Sequence, residues 1–386
     1  MPAIGNNAMP AEPFFADTDA DLVDWNRLLL SSPAGSFVIS SNWFSSLATY
    51  GFEAKYLLTR DAAGTLTGGA ALAVFRMGSF SWIDVPHGPA LRKKDDAALH
   101  ALLQAIENYA ERIRAAFVQI SPFEPMPYEE RWEREAAKHK LPYDPGLPRG
   151  ANMGVGAALL ARGFYRGGTH TVLPVGRYGQ LVSLENGVPL EGFRQNTRRD
   201  IKLSLQNPAV SVQMAEDMEA LRLSYSLLVE NAVRAGYALR PWSSFVQAVW
   251  EGVRNGTVLV MNAAYDGKPE GTIVVGLGGR RGSYAMGATS RDRHPHAYLG
   301  ALLQYRAMEH LATRGFEAYD LTAIMGGGVQ DFKRGFRPTY YRLAGDLVKI
   351  YRPRLYRAYR FVYPFLRRHR RALARAWHAV FAPEPQ

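Results

Sequence analysis

The chain has 386 residues, 47% of them hydrophobic and 21% charged, and contains no cysteine. That length suffices for two globular domains, and the lack of cysteine excludes disulfides, thiolate nucleophiles and cysteine-held zinc. The net charge of +11 is local, because ten of the 46 Lys/Arg residues fall between Lys349 and Phe381, with no Asp or Glu among them.

No apolar run approaches the roughly 18 to 20 uncharged residues of a membrane-crossing helix. Met1 to Pro13 also lacks the basic-then-apolar layout of a signal peptide, so a cytoplasmic protein is expected. "DTDADLVDWNRLLLSS" carries an Asp/Thr cap followed by Leu22, Trp25, Leu28 and Leu29 at helical spacing. Two or three strands are expected from Phe52 to Val85, with turns at "DAAG" and "MGS". A long helix from about Asp95 to Ala116 and the strand "AFVQISP" follow. "PYDPGLPRGANMG" reads as a loop, and the chain crosses into a second module near Val172 to Gln180.

The second module begins with a basic helix, "FRQNTRRDIKLSLQ", then a helix from Asp217 to about Ala235 and another at "WSSFVQAVWEGVRNG". Three strands joined by "DGKP" and "GRRG" come next, then the helix "YLGALLQYRAMEHLATRG" and the strand "EAYDLTA". Helices, an antiparallel meander, then helix and strand: this order resembles the acyltransferase fold known as GNAT, and the first module reads as a degraded copy. The expected fold class is α/β (α+β), with two tandem GNAT-like domains and a cleft between them. The first covers 14–172, completed by 338–350; the second covers 173–337; a basic helical tail covers 351–386. In that tail Leu355, Tyr359, Val362 and Leu366 recur at helical spacing among arginines, and Pro364 interrupts them. This suits a polyanion, either an anionic membrane surface reached through 352–381 or an RNA, and it suits equally a helix packed on the body with a solvated basic face.

Three constellations bear on chemistry. "GVGAALLARGF" at Gly154 has the Gly-x-Gly of a phosphate cradle, but such short patterns are common and no strand clearly precedes it. "SRDRHPHAYLGALL" stands where CoA-dependent GNAT enzymes put a glycine-rich pyrophosphate loop. Pro295 removes a donor there, and His294, His296 and Tyr298 add bulk, so CoA is disfavoured and no cofactor is expected. Two histidines with only Asp292 beside them make a poor metal site, and none is expected.

The third constellation is "YDLTAIMGGGVQDFKRGFRPTYYRLAGDL", with "VPHGPAL" at Val85 to Leu91 and "FRQNTRRDIKLSLQNPAVSV" upstream. With "GSYAMGATSRDRHPHAYLGALLQYRAMEHLATRGFEAYDL", these resemble, in order and from about Trp43 to Tyr351, the FemABX family of peptidoglycan interpeptide-bridge aminoacyltransferases. The resemblance implies an enzyme that moves an amino acid from aminoacyl-tRNA to an amine of a peptidoglycan precursor. It implies that Phe332 and Lys333 handle the aminoacyl ester, Lys333 as the cation for the oxyanion at a rigid strand end and Phe332 holding its stem or stacking a base. It implies Arg198, Arg199 and Lys202 as phosphate contacts, with Tyr298, Asp84, His87 and Gly88 at the substrate cleft. Two departures stand out. No cation follows Trp43 in "FSSL", and His87 stands where Arg or Lys is common, so Arg92, Lys93 or the second module takes over the grip on the sugar pyrophosphate. No room exists between Trp250 and Thr257 for the helical arm that some members insert. Two other classes fit the residues: a CoA-dependent N-acyltransferase for a cell-surface amino sugar or polysaccharide, and a non-catalytic RNA- or membrane-binding protein.

Overall fold

The computed structural model describes residues 12–127, 154–167, 178–290, 294–324 and 328–363. They form two eight-stranded mixed sheets.

The first sheet contains β1 (Phe14–Phe15), β2 (Phe52–Arg60), β3 (Leu66–Met77), β4 (Phe80–Pro86), β5 (Ala90–Leu91), β6 (Phe117–Ser121), β8 (Tyr165–Arg166) and β16 (Leu347–Ile350). Their order is β1-β2-β3-β4-β6-β16-β8, with β5 against β3. The second contains β7 (Met126–Pro127), β9 (Tyr178–Ser183), β10 (Val210–Met214), β11 (Val258–Tyr265), β12 (Lys268–Gly278), β13 (Arg281–Thr289), β14 (Ala318–Asp320) and β15 (Thr339–Arg342). Their order is β10-β11-β12-β13-β14-β9-β15-β7. The stretch 338–350 therefore divides, β15 joining the second sheet and β16 the first. Met126–Pro127, from the first module, also pairs into the second sheet.

Local chemistry explains the elements. Helix α1 (Asp19–Ser31) starts where the Thr18 hydroxyl accepts the Asp21 N–H at 3.2 Å. Helix α2 (Asp96–Arg112) starts at the Asp95 carboxylate, which accepts the Ala98 N–H at 2.9 Å. Further on come α3 (Gln195–Gln206), α4 (Met218–Ala235) and α5 (Leu299–Thr313). Asp217 caps α4, and Gly236, at φ 70°, ends it in the left-handed conformation. The hairpins β11–β12 and β12–β13 turn on Asp266-Gly267 and Gly279-Arg280, pairs with positive φ at both positions, as two-residue hairpin turns require.

Each sheet holds one parallel pair joined by a crossover helix: β4 and β6 through α2, and β13 and β14 through α5. This repeated β-α-β unit is the duplication expected from the sequence. In the first sheet the pairing continues to the end of both strands, Pro86 against Ser121. In the second it covers only Arg281 to Ser283, and β13 runs on to Thr289 without β14 beside it.

The halves are tied together by residues 29–46. The carbonyl of Leu29 accepts the Gly279 N–H at 2.8 Å, and that of Gly35 accepts from the Arg281 guanidinium at 2.9 Å. Asn42 donates to the Ala248 carbonyl at 2.7 Å and accepts from the Thr257 hydroxyl at 3.0 Å. Phe37 and Trp43 join a core of Leu227, Phe245 and Val258, and Phe37 fits only because a side chain on Gly276 would overlap its ring.

At the other end of the chain a helix over 353–363 buries Tyr356 and Tyr359 against Trp82 and Phe117. The stripe expected to line one face is thus split: Tyr359 is buried, Leu355 and Val362 are exposed, and Leu366 lies outside the described residues. Among the described residues no helix is long and apolar enough to cross a membrane.

Candidate active site

The seam between the sheets gathers polar groups from both. Asp320 ends β14 and is 4% exposed. One carboxylate oxygen accepts the Thr322 N–H at 2.7 Å, and the other accepts the Tyr341 hydroxyl at 2.7 Å. Arg281, at the start of the neighbouring β13, and Lys333 supply positive charge to it. Burial pushes the Asp320 carboxyl above the usual carboxylate range, while Arg281, Tyr341, the Thr322 N–H and Lys333 hold it down.

Lys333 lies on the short helix α6 (Gly328–Arg334), not at a strand end as expected. Its side chain is buried and donates through Nζ to the Ala323 carbonyl at 2.8 Å. Burial lowers its pKa from the usual lysine value, and Asp320 opposes the shift. Beneath it Gln330 donates to Gln180 at 2.7 Å and accepts from it at 3.2 Å, which fixes α6 on β9. Phe332 is half-buried, edge-on to Phe336 at 5.4 Å between centroids and beside Gly300 near the start of α5. It packs on the core of the second domain.

From the first domain, His87 reaches the same seam. It has a φ of 52° and precedes a cis Gly88–Pro89 bond. Its Nδ1 is 2.7 Å from the Ser36 hydroxyl, and its ring lies 4.9 Å from that of Phe123. The Arg281 guanidinium stands 4.2 Å from the centroid of the same Phe123 ring. Burial and the nearby Arg281 charge push the His87 pKa down to about 3, so the ring is neutral at neutral pH. His87, Arg281, Asp320 and Lys333 therefore form one electrostatically linked series across the two sheets.

Asp84 is separate from that series. On β4, in register with Gln119, it is 4% exposed, and neither carboxylate oxygen has a hydrogen-bond partner among the described residues. Burial, and then the negative charge of Asp346, raise its pKa to about 8.

The basic residues form a rim on the second domain. Arg198 is half-buried, while Arg199 and Lys202 are exposed; Arg199 binds Asp200 at 2.9 Å. The start of α3 is fastened next to α6, because the Arg194 N–H donates to the Gly335 carbonyl at 2.9 Å. Tyr298 precedes α5 with φ 50°, and the Ser204 hydroxyl of α3 donates to the neighbouring Ala297 carbonyl at 2.7 Å. Phe332, Tyr298 and the arginines of α3 are thus brought to one region. The expected pair Arg198/Lys202 is unequal, since only Lys202 is fully in solvent.

Two alternatives in the sequence take concrete form. The Gly-x-Gly at Gly154 is occupied by the Glu124 carboxylate, which accepts the Val155 N–H and, at 3.2 Å, the Gly156 N–H. His294 pairs with the buried Glu270 at 2.9 Å and stacks on Tyr265. At Trp43, where no cation follows in sequence, the second domain supplies one: the Arg240 guanidinium stands 4.6 Å over the ring. Sequence reasoning missed Arg281, Asp320, Tyr341 and Arg240. The one local signal is the passage from Tyr319 to Leu347, which carries Asp320 and Tyr341 but points by resemblance to Phe332 and Lys333.

The chain matches a family model described as the FemAB family over residues 25–247 and an acetyltransferase (GNAT) domain model over residues 191–334. No curated protein matches it. Among solved structures it is similar to FemX, at 16% identity and TM-score 0.68, over 89% of this chain and 99% of that one. It is also similar to a conserved protein of unknown function from Bacteroides thetaiotaomicron, at 12% identity and TM-score 0.54, over 86% and 98% of the two chains. At such identities the likeness is one of fold, and it extends over both domains. The FemAB model spans more than half of the chain and the GNAT model reaches Lys333, so the chain belongs to the FemAB family, the peptidoglycan-bridge aminoacyltransferases its sequence resembles, and is an acyltransferase.

Proposed function

We propose that the protein transfers an amino acid, Gly, Ala or Ser, from aminoacyl-tRNA to an amine of the stem peptide of a peptidoglycan precursor, either lipid II or UDP-MurNAc-pentapeptide. The observation that carries this reading is Lys333, a buried lysine whose Nζ donates to the Ala323 carbonyl within reach of the Asp320 charge, next to an exposed basic rim. The acceptor amine attacks the ester carbonyl, and the C=O electrons move onto oxygen. The resulting oxyanion is stabilised by the Lys333 ammonium. Collapse expels the ribose oxygen of the tRNA, which takes up the proton lost by the amine. The step needs no protein nucleophile, and positioning the two substrates supplies much of the rate. Arg198, Arg199 and Lys202 suit phosphates of tRNA or of the precursor. Phe332, packed on Phe336, sets the floor beside the lysine. His87, neutral and bonded to Ser36, with Gly88 and the uncharged Asp84, shapes the acceptor side.

A second reading, transfer from a CoA thioester to an amino sugar, has the match to the acetyltransferase model in its favour. Incubation with charged tRNA mixtures and peptidoglycan precursors, followed by mass spectrometry, decides between them. The expected product is the precursor heavier by one or more aminoacyl residues. No mass gain, together with a thermal shift on acetyl-CoA, would select the second reading.

A further inference from the structure

We infer that the helix over 353–363 is a docking surface for an anionic lipid bilayer, with Phe361 as its insertion point. Tyr356 and Tyr359 fix the rotation of this helix: their rings lie 5.1 Å from Phe117 and 5.1 Å from Trp82, inside the first domain's core. At 100° per residue, the opposite pole of the helix carries Arg354 and Phe361. Phe361 is 81% exposed, with Val362 at 51% and Leu355 at 37% on one flank. Arg357 and Arg360 stand exposed on the other. An aromatic ring, two aliphatic side chains and three guanidinium groups on one outward surface match what an interfacial helix needs, namely apolar groups for the acyl boundary and cations for the headgroups.

The charge pattern argues against two other occupants. The 364–386 stretch carries Arg367, Arg368, Arg370, Arg371 and Arg375 with no acidic residue before Glu384, so its charge does not complement Arg354, Arg357 and Arg360. A polynucleotide would use the arginines and a stacked Phe361, but it has no use for exposed Val362 and Leu355. Because the tyrosines lock the helix to the first domain, docking would hold that domain, and the end of the cleft it forms, at a fixed attitude to the bilayer. A role in presenting a lipid-linked acceptor rests on the function proposed above; the lipid contact does not.

The test is co-sedimentation of the full chain with phosphatidylcholine vesicles, with and without roughly a third phosphatidylglycerol. Binding to the anionic vesicles alone is expected. The doubly substituted Phe361→Ser, Val362→Ser chain should bind about tenfold more weakly with an unchanged melting temperature. Phe361→Trp should retain binding and show a blue-shifted emission on anionic vesicles. The inference is overturned if the double variant binds vesicles as the native chain does, or if the native chain ignores anionic vesicles while tRNA blue-shifts the tryptophan. Vesicle binding is read without any transfer assay, so failure here leaves the proposed reaction standing, and loss of the reaction leaves this result interpretable.

Discussion

Asp84 and Asp320 are buried to the same extent, one on the parallel pair of each sheet, and their surroundings are opposite. Asp84 has bare oxygens and a second carboxylate nearby, and its pKa rises to about 8. Asp320 has an N–H and a hydroxyl bonded to it and the charges of Arg281 and Lys333 in its neighbourhood. Burial alone raises the pKa of a carboxyl group, and donors and cations oppose that rise; at Asp320 they do so in part, since its pKa remains above the usual carboxylate range. The second domain has placed donors and basic side chains around its buried carboxyl. The first domain has not; it offers the seam a neutral histidine, and its buried acid Asp84 lies apart from the series running from that histidine to Lys333. In the reaction proposed above, the basic side would stabilise developing charge and the neutral side would hold the uncharged nucleophilic amine.

Removing the charge at Asp320 tests the contrast most severely. Asp320→Asn leaves Arg281 and Lys333 buried without their anion and should cost about 3–5 kcal/mol in denaturant unfolding. A loss below about 1 kcal/mol would mean that the cluster is not electrostatically coupled. Lys333→Met should reduce aminoacyl transfer by about 100-fold or more, with the fold kept, as measured by product mass spectrometry and circular dichroism. Near-native transfer by that variant would remove lysine from the chemistry.

Asp84→Asn should do the reverse of Asp320→Asn. The unfolded carboxyl ionises above about pH 4 while the folded one stays protonated up to about pH 8, so the native chain loses stability as pH rises between those limits. The asparagine variant should therefore be the more stable at pH 7, by roughly 1–3 kcal/mol, with the gap closing as pH falls toward 4. A pH-independent difference in melting temperature would contradict the neutral acid. The smallest effect is expected at the rim: Arg199→Gln should change stability by less than about 0.5 kcal/mol, since its partner Asp200 is a surface pair. Its transfer activity should fall through a raised KM for tRNA.

The duplicated fold was legible because its signals are local. Caps at Thr18, Asp95 and Asp217, the turns at "DG" and "GRRG", and strand alternation all act within a few residues. The position of Lys333 on a helix was not, because α6 is seven residues long and follows "GGG", too short and too glycine-rich to show a helical period. Arg281 and Asp320 each look like an isolated charge near a strand terminus. They acquire meaning only when β13 and β14 pair, and nothing in local spacing announces that. The tail was read at the right period but about one residue out of phase. Two tyrosines filling space beside Trp82 and Phe117 set its rotation, and the gap they fill is made by residues more than 200 positions away.

The insertion of β16 between β6 and β8 has a consequence for biogenesis. On the ribosome the first sheet emerges early, but β6 keeps an unpaired edge until residue 350 has been made, after the whole second domain. The hydrogen bonds from Gly279 and Arg281 to residues 29–35 likewise wait for some 250 residues of synthesis. The two domains therefore cannot mature one after the other, and final assembly is a late step dominated by contacts distant in sequence. Nascent chains stalled before residue 347 should be protease-sensitive in the first domain, and those released beyond residue 363 should not.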